Sequence, residues 1–303
     1  MAEPPEAILI AGPTASGKSA LALDVARKWN GIIINADSMQ VYDALRIITA
    51  RPTPADEAAV PHRLYGTVPA DTRFSVGRWL DAAAAALRAA KEAGLMPVFV
   101  GGTGLYFKAL TQGLAAVPPV PEDMLQNWRA EADRVGPEML HDILAHRDAE
   151  TAAQLSPGDT QRIVRALSVL EATGRSLADW QQAETAPPLL ALEDCRAVFL
   201  DPDRALLHQR INARFDEMIG AGAMEEVQAL MALQLDASLP VMRAHGVPHL
   251  IAYSEGRSDL ATAIMRGKGD TRRYAKRQKT WFRHQMPGWL HVSVEEARAQ
   301  LFA

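Results

Sequence analysis

The sequence is poor in several things that would define other classes of protein. Cys195 is the only cysteine, which rules out an intrachain disulfide and any zinc site built on cysteine pairs. No apolar run approaches the length of a membrane span, and the opening MAEPPEAILIAG has no basic region ahead of its apolar residues; neither a membrane segment nor a secretory leader is expected. There is no excess of positive charge. The formal net charge of −4 means that any polyanion site must come from local clustering. The histidines are scattered, and Pro248 stands between His245 and His249, so no metal site is read from them. What remains is 303 residues, 48% hydrophobic and 22% charged. That is a soluble balance, long enough for one large α/β domain and a smaller one. A reducing cytoplasm suits such a chain, and a monomer is the expected state.

Residues 12–19 read GPTASGKS, the G-x-x-x-x-G-K-[ST] phosphate-binding loop. The apolar run Ala7-Ile8-Leu9-Ile10-Ala11 ahead of it reads as a buried parallel strand, and Ser19 to Lys28, free of Gly and Pro, as a helix. Strand, turn and helix N-terminus form an anion cradle in which backbone N–H groups point at phosphate oxygens. Gly12, Pro13, Thr14, Ala15, Ser16 and Gly17 supply the backbone. Lys18 reaches the terminal phosphates and Ser19 holds Mg²⁺. The loop predicts a nucleotide or another diphosphate ester as ligand.

A second strand, residues 31–36, delivers Asp37, Ser38, Met39 and Gln40. Ligands of parallel sheets bind off the carboxyl ends of strands, so Asp37 either points into the crevice of the phosphate loop or, with Ser38, caps a following helix. Residues 43–72 read as irregular, with a short strand near His62. A helix from Ser75 to Ala93 precedes a third strand, Met96 to Val100. That strand opens into Gly101-Gly102-Thr103-Gly104, where Thr103 either caps a helix or faces a substrate. Proline-rich segments at 117–121 and 186–188 bracket a helical stretch, 122–181, on which Gln161, Arg162 and Arg165 form one polar edge. A strand at 196–200 resumes the core. The helix after it carries Arg204, Arg210 and Arg214, which either close over phosphates or pair with Asp216 and Glu217. Arg266 to Arg283 holds eight basic residues against the single acid Asp270. It is expected to be helical from Thr271, with Tyr274, Gln278 and Trp281 on one stripe. Basic residues interleaved with aromatics mark a nucleic-acid surface.

The predicted fold is α/β: a P-loop-type parallel sheet flanked by helices, residues 1–116 and 187–303, with an all-helical insertion at 117–186.

These motifs resemble the tRNA dimethylallyltransferase, or IPP transferase, family in its bacterial type. GPTASGKS at 12–19, DSMQVY at 37–42, TARP at 49–52, GGTGLY at 101–106, QRIVRALSV at 161–169, RINARFDEM at 210–218 and TRRYAKRQKTWFR at 271–283 occur in the family's order almost end to end. The resemblance implies transfer of a dimethylallyl group from dimethylallyl diphosphate to the exocyclic N6 of the adenosine just 3′ of the anticodon in tRNA. It makes Asp37 the general base, with Thr103 and Lys18 completing the catalytic set. It gives Thr14, Lys18, Ser19 and Arg214 to the diphosphate and its Mg²⁺. The anticodon stem-loop is given residues 37–40, Thr103, Gln161, Arg162, Ile163, Val164, Arg165, Arg272, Lys276 and Arg277. Two departures stand out: Gly246-Val247-Pro248 occurs where the family often has Gly-Tyr-Arg or Gly-Tyr-Lys, and Leu125 or Gln126 takes the place of a common Arg. Two other enzymes would share the loop and Asp37, a small-molecule kinase and a prenyltransferase acting on free adenylate; a non-catalytic RNA-binding module is the third alternative.

Overall fold

The structure is a computed structural model that describes residues 4–183 and 185–303. The chain divides into two compact units, one built from residues up to Gln112 together with Leu189–Ala303, the other from Gly113–Pro188.

In the first unit, β1 (Ala7–Ala11), α1 (Lys18–Lys28), β2 (Gly31–Asn35), α2 (Pro54–Ala59), β3 (His62–Arg63), α3 (Val76–Glu92), β4 (Met96–Gly101) and α4 (Gly104–Gln112) precede the insertion. The insertion holds α5 (Glu122–Val135), α6 (Pro137–Arg147), α7 (Ala149–Ala153), α8 (Thr160–Thr173) and α9 (Leu177–Gln182). The first unit then resumes with β5 (Cys195–Leu200), α10 (Arg204–Gly220), α11 (Ala223–Ala232), α12 (Val247–Ser254), α13 (Leu260–Gln285), β6 (Leu290–Val292) and α14 (Val294–Phe302).

Among the described residues the strands form one sheet of order β3-β2-β4-β1-β5-β6, with every pairing parallel. The alternation along β1 explains the layering. Ala7, Leu9 and Ala11 join a core with Phe99, Phe107, Phe199 and Phe282, while Ile8 and Ile10 join a second core with Leu21, Val25, Val98 and Leu301. A strand buried on both faces must be apolar throughout, and all five residues of β1 are buried. Strands β2, β3 and β4 lie to one side of β1, and β5 and β6 to the other. The order therefore reverses at β1, and the crevice at such a switch point is where parallel sheets bind ligands.

Four elements differ from the sequence reading. The irregular stretch at 43–72 contains α2, whose Thr53 and Asp56 form a capping box. Beyond the basic helix lie β6 and α14, the latter opened by a capping box of Ser293 and Glu296. Helix α13 begins at Leu260 rather than Thr271. Gly267 lies within it, where the Phe215 ring leaves no room for a side chain: a Cβ there would lie 2.3 Å from Phe215 Cζ.

The insertion packs on its own core of Leu140, Leu144, Ile163, Val164 and Leu167. Among the described residues no helix is long and apolar enough to cross a membrane.

Candidate functional site

The phosphate loop leaves β1 and turns through two left-handed residues, Ala15 (φ 61°) and Gly17 (φ 93°), before α1 begins at Lys18. Successive turns of this kind gather backbone N–H groups into a concave anion nest. The Ser16 side chain is fully buried and its Oγ has no hydrogen-bond partner among the described residues. Lys18 is also buried, its Nζ donating to the Pro13 carbonyl at 3.2 Å. Burial pushes the Lys18 ammonium down to about 8; Asp37 works against that shift and Arg214 adds to it. Ser19 is exposed on the first turn of α1 and borders a cavity of about 410 Å³ that is also lined by Ile47, Tyr65, Arg214 and Met218.

Asp37 follows β2, and no helix follows Asp37. The chain continues in turns and bends, so the capping alternative for Asp37 and Ser38 does not hold. Instead the residue is fixed as a turn: its N–H donates to Asn35 Oδ1 at 2.9 Å, and its Oδ1 accepts the Met39 N–H at 3.0 Å. Asn35, fully buried, donates to the carbonyls of Asp37 and Leu64, both at 3.0 Å. Thr103, from the turn after β4, is brought alongside. Its Oγ1 accepts the Ser38 N–H at 2.9 Å and donates to Ser38 Oγ at 3.2 Å. Gln40 turns both amide contacts onto its own loop, donating to the carbonyls of Thr49 and Ala50 at 2.9 Å.

Helix α10 is capped by Asp203, which accepts the N–H groups of Ala205 and Leu206. It buries Leu207, Ile211 and Phe215, which leaves Arg214 on the flank facing the crevice near Asp37. Burial lowers the affinity of Arg214 for its proton, and the charges of Asp37 and Glu217 raise it. The field of Asp37 also reaches residues from three further elements. Burial first, then Asp37, pushes the hydroxyls of Tyr65, Tyr106 and Tyr274 up. His245, whose ring lies tilted against that of Tyr274 with centroids 4.5 Å apart, is pushed down by burial and by Arg277. A carboxylate, an ammonium and a guanidinium thus share one crevice edged by phenols. That arrangement suits a diphosphate on one side and a proton donor on the other.

Sequence reasoning missed the part played here by Tyr274 and Gln278. The stripe with Trp281 was legible by its spacing, yet it faces inward: Gln278 is buried, donating to the Gly102 carbonyl at 2.7 Å and accepting from Thr14 N–H at 3.3 Å. The basic flanks of α13 are also less free than their single sign suggests, because acids and an amide from other elements meet them. Lys268 pairs with Asp216, Arg272 donates to Asn212 Oδ1 at 2.5 Å, and Lys279 pairs with Asp201. Lys276 and Arg277 stay exposed. Lys276 has no ion pair among the described residues, and Arg277 lies over the Tyr274 ring, 5.6 Å from its centroid.

In the insertion, Gln161 and Arg162 are exposed, Arg162 pairing with Asp159 at 3.4 Å, and burial lowers the affinity of Arg165 for its proton. Ile163 and Val164 correct the expected RNA-facing edge. Their side chains are buried in the core of this unit, because on a helix they fall on the apolar face opposite Arg162.

The family model described as IPP transferase matches residues 40–285, and one described as isopentenyl transferase matches residues 5–70. A tRNA dimethylallyltransferase of Nitrobacter hamburgensis is 57% identical over 98% of this chain and 93% of its own length. Another, of Rhodopseudomonas palustris, is 58% identical over 98% and 92%. The crystal structure of the tRNA isopentenylpyrophosphate transferase of Bacillus halodurans superposes with a TM-score of 0.69 at 30% identity, covering 97% of this chain and 93% of that one. A eukaryotic dimethylallyltransferase acting on tRNA gives a TM-score of 0.76 at 26% identity, with 93% and 71% covered. The order of the sheet, the phosphate loop at its switch point and the near full-length likeness to these proteins lead to one assignment: the chain belongs to the IPP transferase family.

Proposed function

We propose that the protein transfers a dimethylallyl group from dimethylallyl diphosphate to the exocyclic N6 of an adenosine in tRNA, the one immediately 3′ of the anticodon, releasing diphosphate. The observation that carries this reading is the meeting of Lys18, Arg214 and Asp37 in one crevice. An exocyclic adenine amine is a weak nucleophile because its lone pair is delocalised into the ring. As its nitrogen bonds to the allylic carbon, the carbon–oxygen bond to diphosphate breaks and the departing N–H proton passes to the Asp37 carboxylate. Positive charge grows on the allylic carbon and negative charge on the leaving oxygens. Lys18, Arg214 and the N–H groups of the phosphate loop stabilise the latter. Thr103, held against Ser38, would orient the amine beside Asp37.

Mg²⁺ fits the oxygen chemistry of the site. Ser19, exposed on the first turn of α1 beside Lys18, would hold the cation through its hydroxyl oxygen. Bound there, it would neutralise charge on the diphosphate. The adenosine leaves its stack to reach Asp37, as loop bases of RNA do for base-modifying enzymes. Lys276 and Arg277, with Arg272 and the polar edge of α8, supply backbone contacts to the anticodon arm. The protein works in the cytoplasm as a monomer.

The test is incubation with labelled dimethylallyl diphosphate and either bulk tRNA or AMP. Label in tRNA is the expected result. Label in AMP alone indicates an adenylate prenyltransferase, and phosphate release from ATP without tRNA indicates a kinase or an NTPase.

A further inference from the structure

Three residues of α13, spaced by about one turn, meet the turn that carries Thr103. Gln278 donates to the Gly102 carbonyl. The Tyr274 hydroxyl lies beside Thr103 and Gln278, which work against the rise that burial imposes on it. The Trp281 indole lies so close to Gly104 that a Cβ there would sit 2.1 Å from its Cε3. Gln278 alone also reaches the phosphate loop, where its Oε1 accepts the Thr14 N–H at 3.3 Å. A glutamine amide carries one acceptor oxygen and two donor hydrogens. Here the acceptor serves one loop and a donor serves the other.

Those loops leave neighbouring strands. The ladder of β1 and β4 ends at Ala11 opposite Gly101, and a last backbone bond runs from Gly12 N–H to the Gly101 carbonyl at 3.3 Å. Beyond that bond, the side chain of Gln278 is what continues the connection between the loops. We infer that Gln278 is a positioning residue that sets the phosphate loop, and so the prenyl donor, in register with the turn that presents Thr103 to the acceptor amine. The inference rests on the proposed prenyl transfer, whose donor sits on one loop and whose acceptor sits on the other.

Forming the carbon–nitrogen bond needs the two reacting atoms about 3–3.5 Å apart, and a misplacement of about 1 Å costs on the order of 10²-fold in rate. Gln278 is buried beneath both loops and contributes through their alignment. Its loss therefore lowers kcat and leaves each substrate's own contacts in place.

The experiment compares wild type with Gln278→Met, which conserves volume and removes both hydrogen bonds. With dimethylallyl diphosphate and tRNA, kcat is expected to fall by about 10²-fold, with the KM for each substrate changed only a few-fold. Hydrogen exchange on substrate-free protein gives a second readout. Amides of residues 12–16 and 101–104 should exchange faster in the variant, and those of α3 at the wild-type rate. Gln278→Asn, too short to span both loops, is the second variant and should give the same pattern if Gln278→Met does not fold. A variant with wild-type kcat, or with unchanged exchange in both loops, overturns the inference. If wild type itself fails to prenylate tRNA, the reaction assignment falls, while the exchange measurement still decides whether Gln278 ties the loops.

Discussion

Lys18, at the start of α1, and Asp37, just past the end of β2, meet electrostatically at the carboxyl edge of the sheet, where the Asp37 charge acts against the burial of Lys18. Burial pushes the Lys18 ammonium down to about 8, and the Asp37 carboxylate is the largest influence in the other direction. A buried cation held this way is a site awaiting negative charge, and a diphosphate would supply it.

The first prediction follows from this pair. The folded protein holds the Lys18 proton less tightly than the unfolded chain, whose value is the ordinary 10.5. The charged lysine therefore destabilises the donor-free protein fully below about pH 8, and the penalty fades as pH rises to 10.5. Lys18→Met should stabilise the donor-free protein by about 1–3 kcal/mol at pH 7 and should lose use of dimethylallyl diphosphate. Urea unfolding at pH 7 and at pH 10.5 measures this; a variant less stable than wild type at pH 7 refutes it.

Asp37→Asn keeps the turn geometry set by Asn35 and Met39 and removes the proton acceptor. Single-turnover transfer to tRNA should fall by about 10²–10⁴-fold, with donor and tRNA binding retained. A near wild-type single-turnover rate would remove Asp37 from the role of base.

Lys276 and Arg277 are exposed on the outer face of α13, while Tyr274 and Gln278 on its inner face hold the site. Changing both to Gln should reduce the slope of log Kd for tRNA against log salt by about 0.7–0.9 for each phosphate that is no longer neutralised. The KM for tRNA should rise and that for dimethylallyl diphosphate should stay near wild type. An unchanged salt slope would place the RNA surface elsewhere.

The Glu226 carboxylate accepts the N–H groups of Arg46, Ile47 and Ile48, the latter two at 2.9 Å. Glu226→Gln turns an amide donor toward N–H groups that are themselves donors. It should destabilise the protein by about 1–3 kcal/mol and raise the KM for dimethylallyl diphosphate, since Ile47 and Arg46 line the cavity beside Ser19 and Arg214. Equal urea midpoints for variant and wild type would show that this anchor contributes nothing.

The parts legible in the sequence were those whose physics is local. A phosphate loop is a run of eight residues whose backbone conformation makes the site, and central strands of a parallel sheet carry short apolar runs, so β1, β2, β4 and β5 could be read directly. The capping boxes of Thr53 with Asp56 and of Ser293 with Glu296 were equally local, and α2 and α14 could have been found from them. Other features depend on what packs against a residue. The basic run from Arg266 to Arg283 shows one acid in the sequence, but Asp216 and Asp201 arrive from α10 and from the loop after β5 to pair with Lys268 and Lys279. The sequence does not show why residue 267 is glycine; in the fold the Phe215 ring leaves no room there for a side chain. The spacing of Tyr274, Gln278 and Trp281 established that they share a face of α13. Only the tertiary structure decided that this face turns inward onto residues 102–104. Spacing along a helix fixes which side chains point together, and the direction in which they point is set by where the rest of the chain buries the helix.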